Sequence, residues 1–468
     1  MITARFPRLE TLFDVPQLDQ LTVEHLKKLV GARIREREDL EFKQSLYGKT
    51  KSDARDLAVD VAAMANTQGG LIIIGIQDHN DVAVGLNAVR LGQETVRMKA
   101  IIADNTGPLP KVEIKAIDEP LKPAVGYYLI AVPKSTRAPH AVLVNEDLRY
   151  PRRDGPRNRY MSESEVAEAY RNWFREAEAR VDRVQEVYDD GVKGLSSSGQ
   201  LFLVMALAPA QPGEMKITSA SEGDFFDWLN NRKRQYLGRS ASAGHRPSIG
   251  WRRIIVSDFK GAGDEPPTWR YDEFHADGSG FGSDNVRIPR EAAPHGFAET
   301  GLARLIGIGH DILTDLVDHA QQHCLVGGDG LMMGNLLIPE STGEKIKIIR
   351  AGWGIEDLTT KPLGKLRPSR HMINIDGLAS SGEERKAVVR TMLTDVVQQL
   401  GIPEIQHITP EGALRLSAWD AQEHHLLRHW GSTGERSYRG TTEHGWPSVS
   451  SHRELGLNLA WVFEYAAP

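Results

Sequence analysis

The chain has 468 residues, 40% of them hydrophobic and 26% charged, and a net charge of -6. These values are ordinary for a globular protein and exclude a fibre or a largely disordered chain. No apolar run reaches the roughly 18 residues of a membrane span, no signal-peptide core follows Met1, and Cys324 has no second cysteine to pair with. We expect a cytoplasmic protein of two or three domains, with Cys324 in a core rather than acting as a nucleophile.

The run Glu-Arg-Glu-Asp-Leu-Glu-Phe-Lys at 36–43 leads into a short predicted strand, and Glu36, Glu41 and Lys43 are its candidate functional residues. Alternate side chains of a strand share a face, so Glu41 and Lys43 stand side by side while Phe42 packs behind them. In metal-dependent nucleases such an acid ligates the metal, and the lysine stabilises charge at the phosphate. The alternative is a solvated charged turn at Glu36 and an exposed Glu41–Lys43 ion pair, which contributes little.

A helix and a buried strand follow. Apolar residues recur at helical spacing from Leu57 to Met64, and paired glycines then precede an apolar strand that ends at Asp78. Carboxylates gathered in an apolar setting repel one another, so a fold that collects Glu36, Glu41 and Asp78 usually holds a divalent cation or shifts a pKa.

The order of these pieces resembles the Schlafen AlbA-like domain, also called the divergent AAA or DNA-binding domain. The resemblance covers roughly residues 20–180 and includes Val-Ala-Val-Gly-Leu at 82–86. It implies that Glu36, Glu41 and Asp78 are the catalytic, metal-binding triad of an endoribonuclease acting on tRNA and rRNA, with Mg²⁺ or Mn²⁺ as cofactor. Schlafen proteins have two such lobes and a zinc site, whereas this sequence has one lobe and no cysteine cluster. A homodimer would supply the second lobe.

The AAA label raises the alternative of nucleotide hydrolysis. The chain has no Gly-x4-Gly-Lys-Ser/Thr, and the glycines at 278–282 lack the strand-to-helix context of a dinucleotide fingerprint. We therefore expect no nucleotide cofactor.

The segment 149–160 is the best candidate for nucleic-acid contact. Guanidinium groups bind phosphate bidentately, and tyrosine rings stack on unpaired bases. The alternative is a hairpin whose arginines pair with nearby acidic residues. Charge is balanced up to residue 180, with 27 Lys and Arg against 26 Asp and Glu, so nucleic-acid contact requires a local patch of this kind. The candidate residues are Arg149, Arg152, Arg153, Arg157 and Arg159, with Tyr150 and Tyr160 among them.

A domain boundary is predicted after this segment. A helix with Ser162 as N-cap is expected to run to Val187, and the glycine- and serine-rich stretch that follows is typical of a linker. We therefore divide the chain into a Schlafen AlbA-like domain for nucleic-acid binding or cleavage at 1–185, a linker at 186–199 and a second domain at 200–468.

The second domain is predicted to be α+β, and its sequence resembles no family that we recognise. Strands are expected near 252–257 and 345–350, and helices near 301–324, 383–400 and 410–430.

Two helical patterns in this domain have the spacing of metal ligands. The residues are Asp311, Asp315, His319 and His323, with His425 and His429 in the second pattern. Leucine and isoleucine residues between them define a core face, so we expect the acidic and histidine side chains to flank that face in solvent. Trp419 and Trp430 are predicted to lie in the core.

The sequence therefore favours an α+β protein that acts as a metal-dependent endoribonuclease on structured RNA, with tRNA as the expected substrate. Glu36, Glu41, Asp78 and Lys43 would be its catalytic residues. The second domain would recognise a phage or host trigger, in a bacterial protein of anti-phage defence, without membrane association. Two alternatives remain: a non-catalytic DNA- or RNA-binding regulator whose carboxylates are structural, and a scaffold whose AlbA-like fold only dimerises.

Overall fold

Helices and strands alternate along both halves of the chain, and the predicted α+β class is confirmed. None of the helices in the described part combines the length and apolar character needed to cross a bilayer. The computed structural model describes residues 2–120, 122–144, 147–195, 199–231, 233–234, 239–240, 246–257, 269–286, 298–338, 346–349, 358–360, 366–415 and 418–419.

The first half begins with two helices and then builds a mixed sheet. Its elements are α1 (Pro7–Phe13), a 3₁₀ turn (Leu18–Gln20), α2 (Val23–Gly31), β1 (Leu40–Lys43), α3 (Lys51–Ala65), β2 (Gly69–Ile74), β3 (Ile76–His79), β4 (Val82–Leu86), β5 (Val89–Arg90), α4 (Glu94–Asn105), β6 (Thr106–Gly107), β7 (Glu113–Asp118), β8 (Val125–Pro133), β9 (Ala141–Val144), β10 (Asp147–Arg149), β11 (Pro151–Asp154) and β12 (Arg157–Tyr160).

The sheet has the order β1-β2-β8-β5, and β7 also pairs with β8. β1 runs parallel to β2, with Leu40 opposite Leu71, whereas β8 is antiparallel to β2. All of β2 is buried because helices cover both faces of the sheet. Leu71 and Ile73 pack towards α1 and α2, while Ile72 and Ile74 pack towards α3 and α4.

The predicted strand that ends at Asp78 is two strands. Gly75 has a φ of 104°, a conformation that favours glycine, and it separates β2 from β3. β3 then pairs with β4 in a hairpin of its own, and this hairpin carries Asp78.

The second half follows one long helix. Its elements are α5 (Glu163–Leu195), β13 (Phe202–Pro209), α6 (Ser219–Asn231), β14 (Lys233–Arg234), β15 (Arg239–Ser240), β16 (Arg246–Gly250), β17 (Arg253–Ser257), β18 (Tyr271–His275), β19 (Gly280–Asn285), β20 (Ala298–Gly301), α7 (Leu302–Asp318), a π-helical turn (His319–His323), β21 (Asp329–Leu337), β22 (Ile346–Ile349), β23 (Leu358–Thr360), β24 (Ser369–Asn374), α8 (Ile375–Ser380) and α9 (Gly382–Gln398).

A seven-stranded antiparallel sheet organises this half, in the order β16-β17-β18-β19-β13-β21-β24. On the central strand β13, Leu203 and Met205 face the core formed with α7 and α9. Phe202 and Val204 face the opposite side, where the C-terminal part of α5 packs. The sheet therefore has helices on both faces.

The helix α5 corrects the predicted linker. Ser162 caps it as expected: the backbone N–H of Glu165 donates to Ser162 Oγ at 3.4 Å, and Ser162 N–H donates to Glu165 Oε2 at 2.9 Å. The helix continues to Leu195 because Tyr188 and Leu195 pack against the second sheet. The predicted linker at 186–199 is thus helical over its first ten residues.

Several predicted elements of the second half are confirmed. The strands near 252–257 and 345–350 are β17 and β22, and the helices near 301–324 and 383–400 are α7, with its π-helical turn, and α9. Ile408 instead forms a β-bridge with Leu414, so the predicted helix at 410–430 is wrong over 410–415. Most of the remainder of that helix, with His425, His429 and Trp430, lies outside the described residues.

The acidic and histidine residues of α7 are not in solvent. Asp311, Asp315 and His319 are buried, and His323 packs edge-on against Trp228, with 4.9 Å between ring centroids. The prediction that these side chains lie in solvent is wrong, because the sheet and α9 cover the sides of α7 as well as its leucine face. Cys324 and Trp419 are buried as predicted.

Polar contacts join the two halves. Lys111 Nζ lies 3.1 Å from Asp376 Oδ2 on α8, and Thr136 Oγ1 donates to Asp329 Oδ2 at 2.7 Å. The guanidinium of Arg5 donates to the Gln321 carbonyl at 3.0 Å. The N-terminal segment therefore contacts both halves.

Candidate functional site

The predicted pair on β1 is formed. Glu41 is 6% exposed, and its Oε1 lies 2.6 Å from Lys43 Nζ. Phe42 packs behind them in the core, as the alternation of the strand predicts. Lys43 Nζ also lies 2.9 Å from Asp60 Oδ2 on α3, so this lysine joins two carboxylates.

The second oxygen of Glu41 is occupied by Arg153. The guanidinium Nη1 of Arg153 donates to Glu41 Oε2 at 2.6 Å, and its Nη2 donates to the Arg37 carbonyl at 3.0 Å. The side chain of Arg153 is wholly buried. The expected phosphate contact is therefore wrong for Arg153, because β11 directs this residue into the domain rather than into solvent.

Three residues that the sequence reasoning did not identify complete the arrangement. Asn158 Nδ2 donates to Asp60 Oδ1 at 2.6 Å, and Tyr47 OH donates to Asp60 Oδ2 at 2.7 Å. Asn158 Oδ1 accepts from Arg153 Nη1 at 3.2 Å. We call this set the anchor network; its members are Glu41, Lys43, Tyr47, Asp60, Arg153 and Asn158. It ties the β11–β12 hairpin to β1 and α3.

The side chains of Asn66 and Thr67, at the end of α3, bind backbone groups of the same hairpin. Asn66 Nδ2 donates to the Pro151 carbonyl at 2.8 Å, and the N–H of Arg153 donates to Thr67 Oγ1 at 2.9 Å. Asn66 also contacts both backbone groups of His140, at 2.6 and 2.9 Å. Asn66 and Thr67 therefore have a structural role at this position.

Burial and neighbouring charge shift the pKa values of the acidic residues. Burial raises the pKa of Glu36 to about 7, against a hydrogen bond from Phe42 N–H that lowers it, and the charges of Glu41 and Asp78 add to the increase. Burial and the charge of Asp60 raise the pKa of Glu41, although Lys43 and Arg153 oppose the shift.

Lys43 behaves in the opposite sense. Burial disfavours its charge, but Asp60 and Glu41 outweigh this effect and hold the pKa of Lys43 above its ordinary value. A lysine in this state stays charged throughout the physiological range and neutralises the two carboxylates.

The predicted triad is only partly assembled. Glu36 and Glu41 are buried close to each other, whereas Asp78 is exposed on β3 and influences Glu36 through its charge. Within the described residues, no group of three or more His, Cys, Asp or Glu side chains is arranged to hold a metal ion. Both oxygens of Glu41 accept hydrogen bonds from basic side chains. The residues as arranged therefore do not fit the expected Mg²⁺ or Mn²⁺ site.

The outer face of the β11–β12 hairpin carries Arg152, Arg157 and Arg159. Arg152 and Arg159 lie directly opposite each other, with side chains 39% and 40% exposed. Both pair with Glu165, whose pKa falls to about 2 chiefly because Arg159 donates to it. Arg149 lies on β10, outside this hairpin, and pairs with Asp147 at 3.3 Å. The alternative in which the arginines pair with nearby acids is thus confirmed for Arg149, Arg152 and Arg159, although their guanidinium groups remain at the surface.

Arg157 completes this face. Arg157 is exposed in β12 and forms no ion pair with any residue that the structure describes. Tyr160 is 44% exposed at the end of the same strand. The hairpin therefore presents three arginines on one accessible side, which we call the hairpin face; its members are Arg152, Arg157 and Arg159.

Comparisons with known proteins agree with the domain resemblance. Residues 36–162 match the family model described as "Schlafen, AlbA_2". No curated protein matches the chain. A solved structure that matches is the DIP2311 protein from Corynebacterium diphtheriae, with 20% identity, a TM-score of 0.22 and 31% of each chain covered. This likeness is too low to bear on fold or function. The family match supports a nucleic-acid-related function.

Proposed function

We propose that this chain, which carries a Schlafen AlbA-like domain at residues 36–162, binds structured RNA through the hairpin face. The observation that carries the proposal is that neighbouring arginines of one hairpin differ in exposure to solvent. Arg153 is buried against Glu41, while Arg152 and Arg159 are presented to solvent on the same hairpin. The buried side fixes the strand pair, so the outer arginines are held in place before RNA arrives.

Phosphate is the ligand that this face suits. A guanidinium group forms paired hydrogen bonds with phosphate oxygens, and RNA phosphates would compete with Glu165 for the arginines. Exposed ion pairs of this type contribute about 0 to 1 kcal/mol, so their exchange for phosphate has a low cost. Tyr160, exposed at the end of β12, would offer a ring at the edge of this face on which an unpaired base can stack.

The test is the salt dependence of RNA binding by the full chain. We expect tRNA to bind more tightly than duplex DNA of equal length, and Arg152→Ala/Arg159→Ala to reduce the log–log slope by about 1.4 to 1.8 for two lost phosphate contacts. A matched control is Lys27→Ala/Lys193→Ala, which removes two exposed, ion-paired lysines elsewhere and should leave the slope unchanged. An unchanged slope in the arginine variant, or no RNA binding by the wild type, would overturn the proposal.

A metal-dependent endoribonuclease is the second candidate, and one observation favours it. The charges of Glu41 and Asp78 both act on the buried Glu36, so two of the carboxylates implied by the resemblance lie within electrostatic reach of the third. In this candidate, Lys43 would be the cation beside the reacting phosphate. Metal binding would require Lys43 and Arg153 to release Glu41.

Asp78 separates the two candidates because it is exposed and outside the anchor network. If the chain is a nuclease, the wild type cleaves tRNA with Mg²⁺ or Mn²⁺, and Asp78→Asn loses at least about tenfold in rate with unchanged RNA affinity. The control is Asp81→Asn, which changes an acid in the same hairpin turn. No cleavage by the wild type, or full cleavage by Asp78→Asn, excludes the triad. A role in anti-phage defence, with the second domain recognising a trigger, depends on this second candidate.

A further inference from the structure

The N-terminal part of α5 carries an exposed apolar stripe, and at its first residue the ring of Tyr170 meets Tyr150 edge-on, with 6.3 Å between centroids. Tyr170, Phe174 and Val181 are 39%, 58% and 39% exposed, and with Ala177 they recur at spacings of four, three and four residues. We call these four residues the α5 stripe. Apolar residues at this spacing form the seam between two paired helices.

The stripe continues a line that is already buried further along the same helix. Val184 and Tyr188 extend the spacing and pack against the second sheet. The helix therefore uses its C-terminal half to contact its own chain, while the same face of the N-terminal half remains open to another helix.

The residues that flank the stripe indicate which helix fits. Arg171 and Glu178 lie along one edge of it, and Trp173 and Arg180 lie along the other. None of the three charged residues forms an ion pair with any residue that the structure describes. They are available for a partner.

We propose that the chain forms a symmetric homodimer in which two copies of α5 pair antiparallel along the stripe. When Phe174 packs on Ala177 of the partner subunit, Tyr170 meets Val181 of the partner subunit. The same register sets Arg171 against Glu178 of the partner subunit and Trp173 against Arg180 of the partner subunit. Two-fold symmetry repeats every one of these contacts.

The alternative helix direction lacks this complementarity. In a parallel pair, Trp173 faces Glu178 and Val166 faces Arg171, and no ion pair forms across the seam. The antiparallel pair instead gains two Arg–Glu pairs and two cation–π contacts. The charge pattern therefore points to a second copy of this chain in one orientation.

The expected dimer is of moderate strength. The stripe from Tyr170 to Val181 spans 12 helical residues, or about 18 Å, so the seam is small for a protein interface. We expect a dissociation constant in the micromolar range. This inference goes beyond the RNA-binding proposal and does not depend on it.

Sedimentation equilibrium of the full chain, over about 1 to 200 µM, tests the proposal. The wild type should dimerise, and Phe174→Glu should abolish the dimer because it places two charges in the seam. Phe226→Glu is the matched control, since Phe226 is an exposed phenylalanine on α6 and should leave association unchanged.

A charge exchange tests the register. Arg171→Glu and Glu178→Arg should each weaken the dimer about tenfold, because each sets like charges opposite each other twice. The double variant should recover the wild-type constant. A monomeric wild type, or single variants that associate as the wild type does, would overturn the proposal; recovery in the double variant excludes misfolding as the cause of the single effects.

Discussion

The inner and outer faces of the β11–β12 hairpin carry the same residue type in different surroundings. On the inner face, Arg153 is wholly buried and joins Glu41, Asn158 and a carbonyl. On the outer face, Arg152 and Arg159 share Glu165 at the protein surface. The charge is identical, but the energetic consequence of removing it differs.

The difference follows from solvation. A buried charge whose partner is removed remains desolvated, which destabilises a fold by about 3 to 5 kcal/mol. An exposed ion pair is screened by water and contributes about 0 to 1 kcal/mol. The inner arginine therefore stabilises the domain, whereas the outer arginines can exchange their ion pairs for contacts with a ligand at little cost to stability.

The largest expected effect is on the inner face. Arg153→Ala leaves Glu41 with one basic partner and breaks the link to Asn158, so we expect the free energy of unfolding to fall by about 3 to 5 kcal/mol. Arg152→Ala, one residue away, should change it by no more than about 0.5 kcal/mol. Urea unfolding of the full chain measures both, and equal losses in the two variants would contradict the comparison.

Glu36 gives a smaller effect that depends on pH. Its carboxyl pKa is about 7 in the folded chain against an ordinary 4.5, so the folded state holds its proton more tightly. Stability should fall as pH rises from about 4.5 to about 7 and then stay level. Glu36→Gln removes the penalty and should stabilise the chain by about 1 to 2 kcal/mol at pH 8, after allowing for solvent screening.

The control for Glu36 is the same measurement at low pH. At about pH 4.5, the carboxyl of Glu36 is protonated in the folded chain, so folding buries no charge there. The difference in unfolding free energy between Glu36→Gln and the wild type should nearly disappear. A gain that is larger at low pH than at pH 8 would reverse the assigned shift.

The smallest effect concerns the edge of the anchor network. Tyr47→Phe removes the hydroxyl that donates to Asp60 at 2.7 Å and leaves the ring in place. We expect a loss of about 0.5 to 1.5 kcal/mol, since Asp60 keeps its contacts with Lys43 and Asn158. The control is Tyr127→Phe, which removes a hydroxyl that donates to Glu119, away from the anchor network. RNA affinity should fall in Tyr47→Phe and stay unchanged in Tyr127→Phe.

Local spacing was sufficient to predict the pairing on β1 and a hairpin within 149–160, which the structure forms at 151–160. Alternation on a strand places Glu41 beside Lys43, and the Asp-Gly-Pro turn returns the chain on itself. The sequence did not reveal which face of the hairpin was covered, because this depends on β1 and α3, more than 80 residues earlier. Arg153 was therefore assigned to the wrong face.

Asp60 had a signal in the sequence that could have been used. It lies one residue before Val61 and three after Leu57, so it falls on the apolar side of α3, where an acid requires a partner. Its partners Tyr47 and Asn158 come from distant segments and have no such signal. The predicted exposure of Asp311 and Asp315 on α7 is wrong for a related reason. The spacing of residues in one helix does not show which other elements pack against it.

The central claim is that Glu41 and Arg153 act on each other to hold the hairpin, and a double-mutant cycle tests it most directly. The cycle compares the unfolding free energies of Glu41→Gln, Arg153→Met and the double variant with that of the wild type. We predict that each single change costs about 3 to 5 kcal/mol and that the double change costs less than their sum by at least about 2 kcal/mol. Additive losses, with a coupling near zero, would contradict the account.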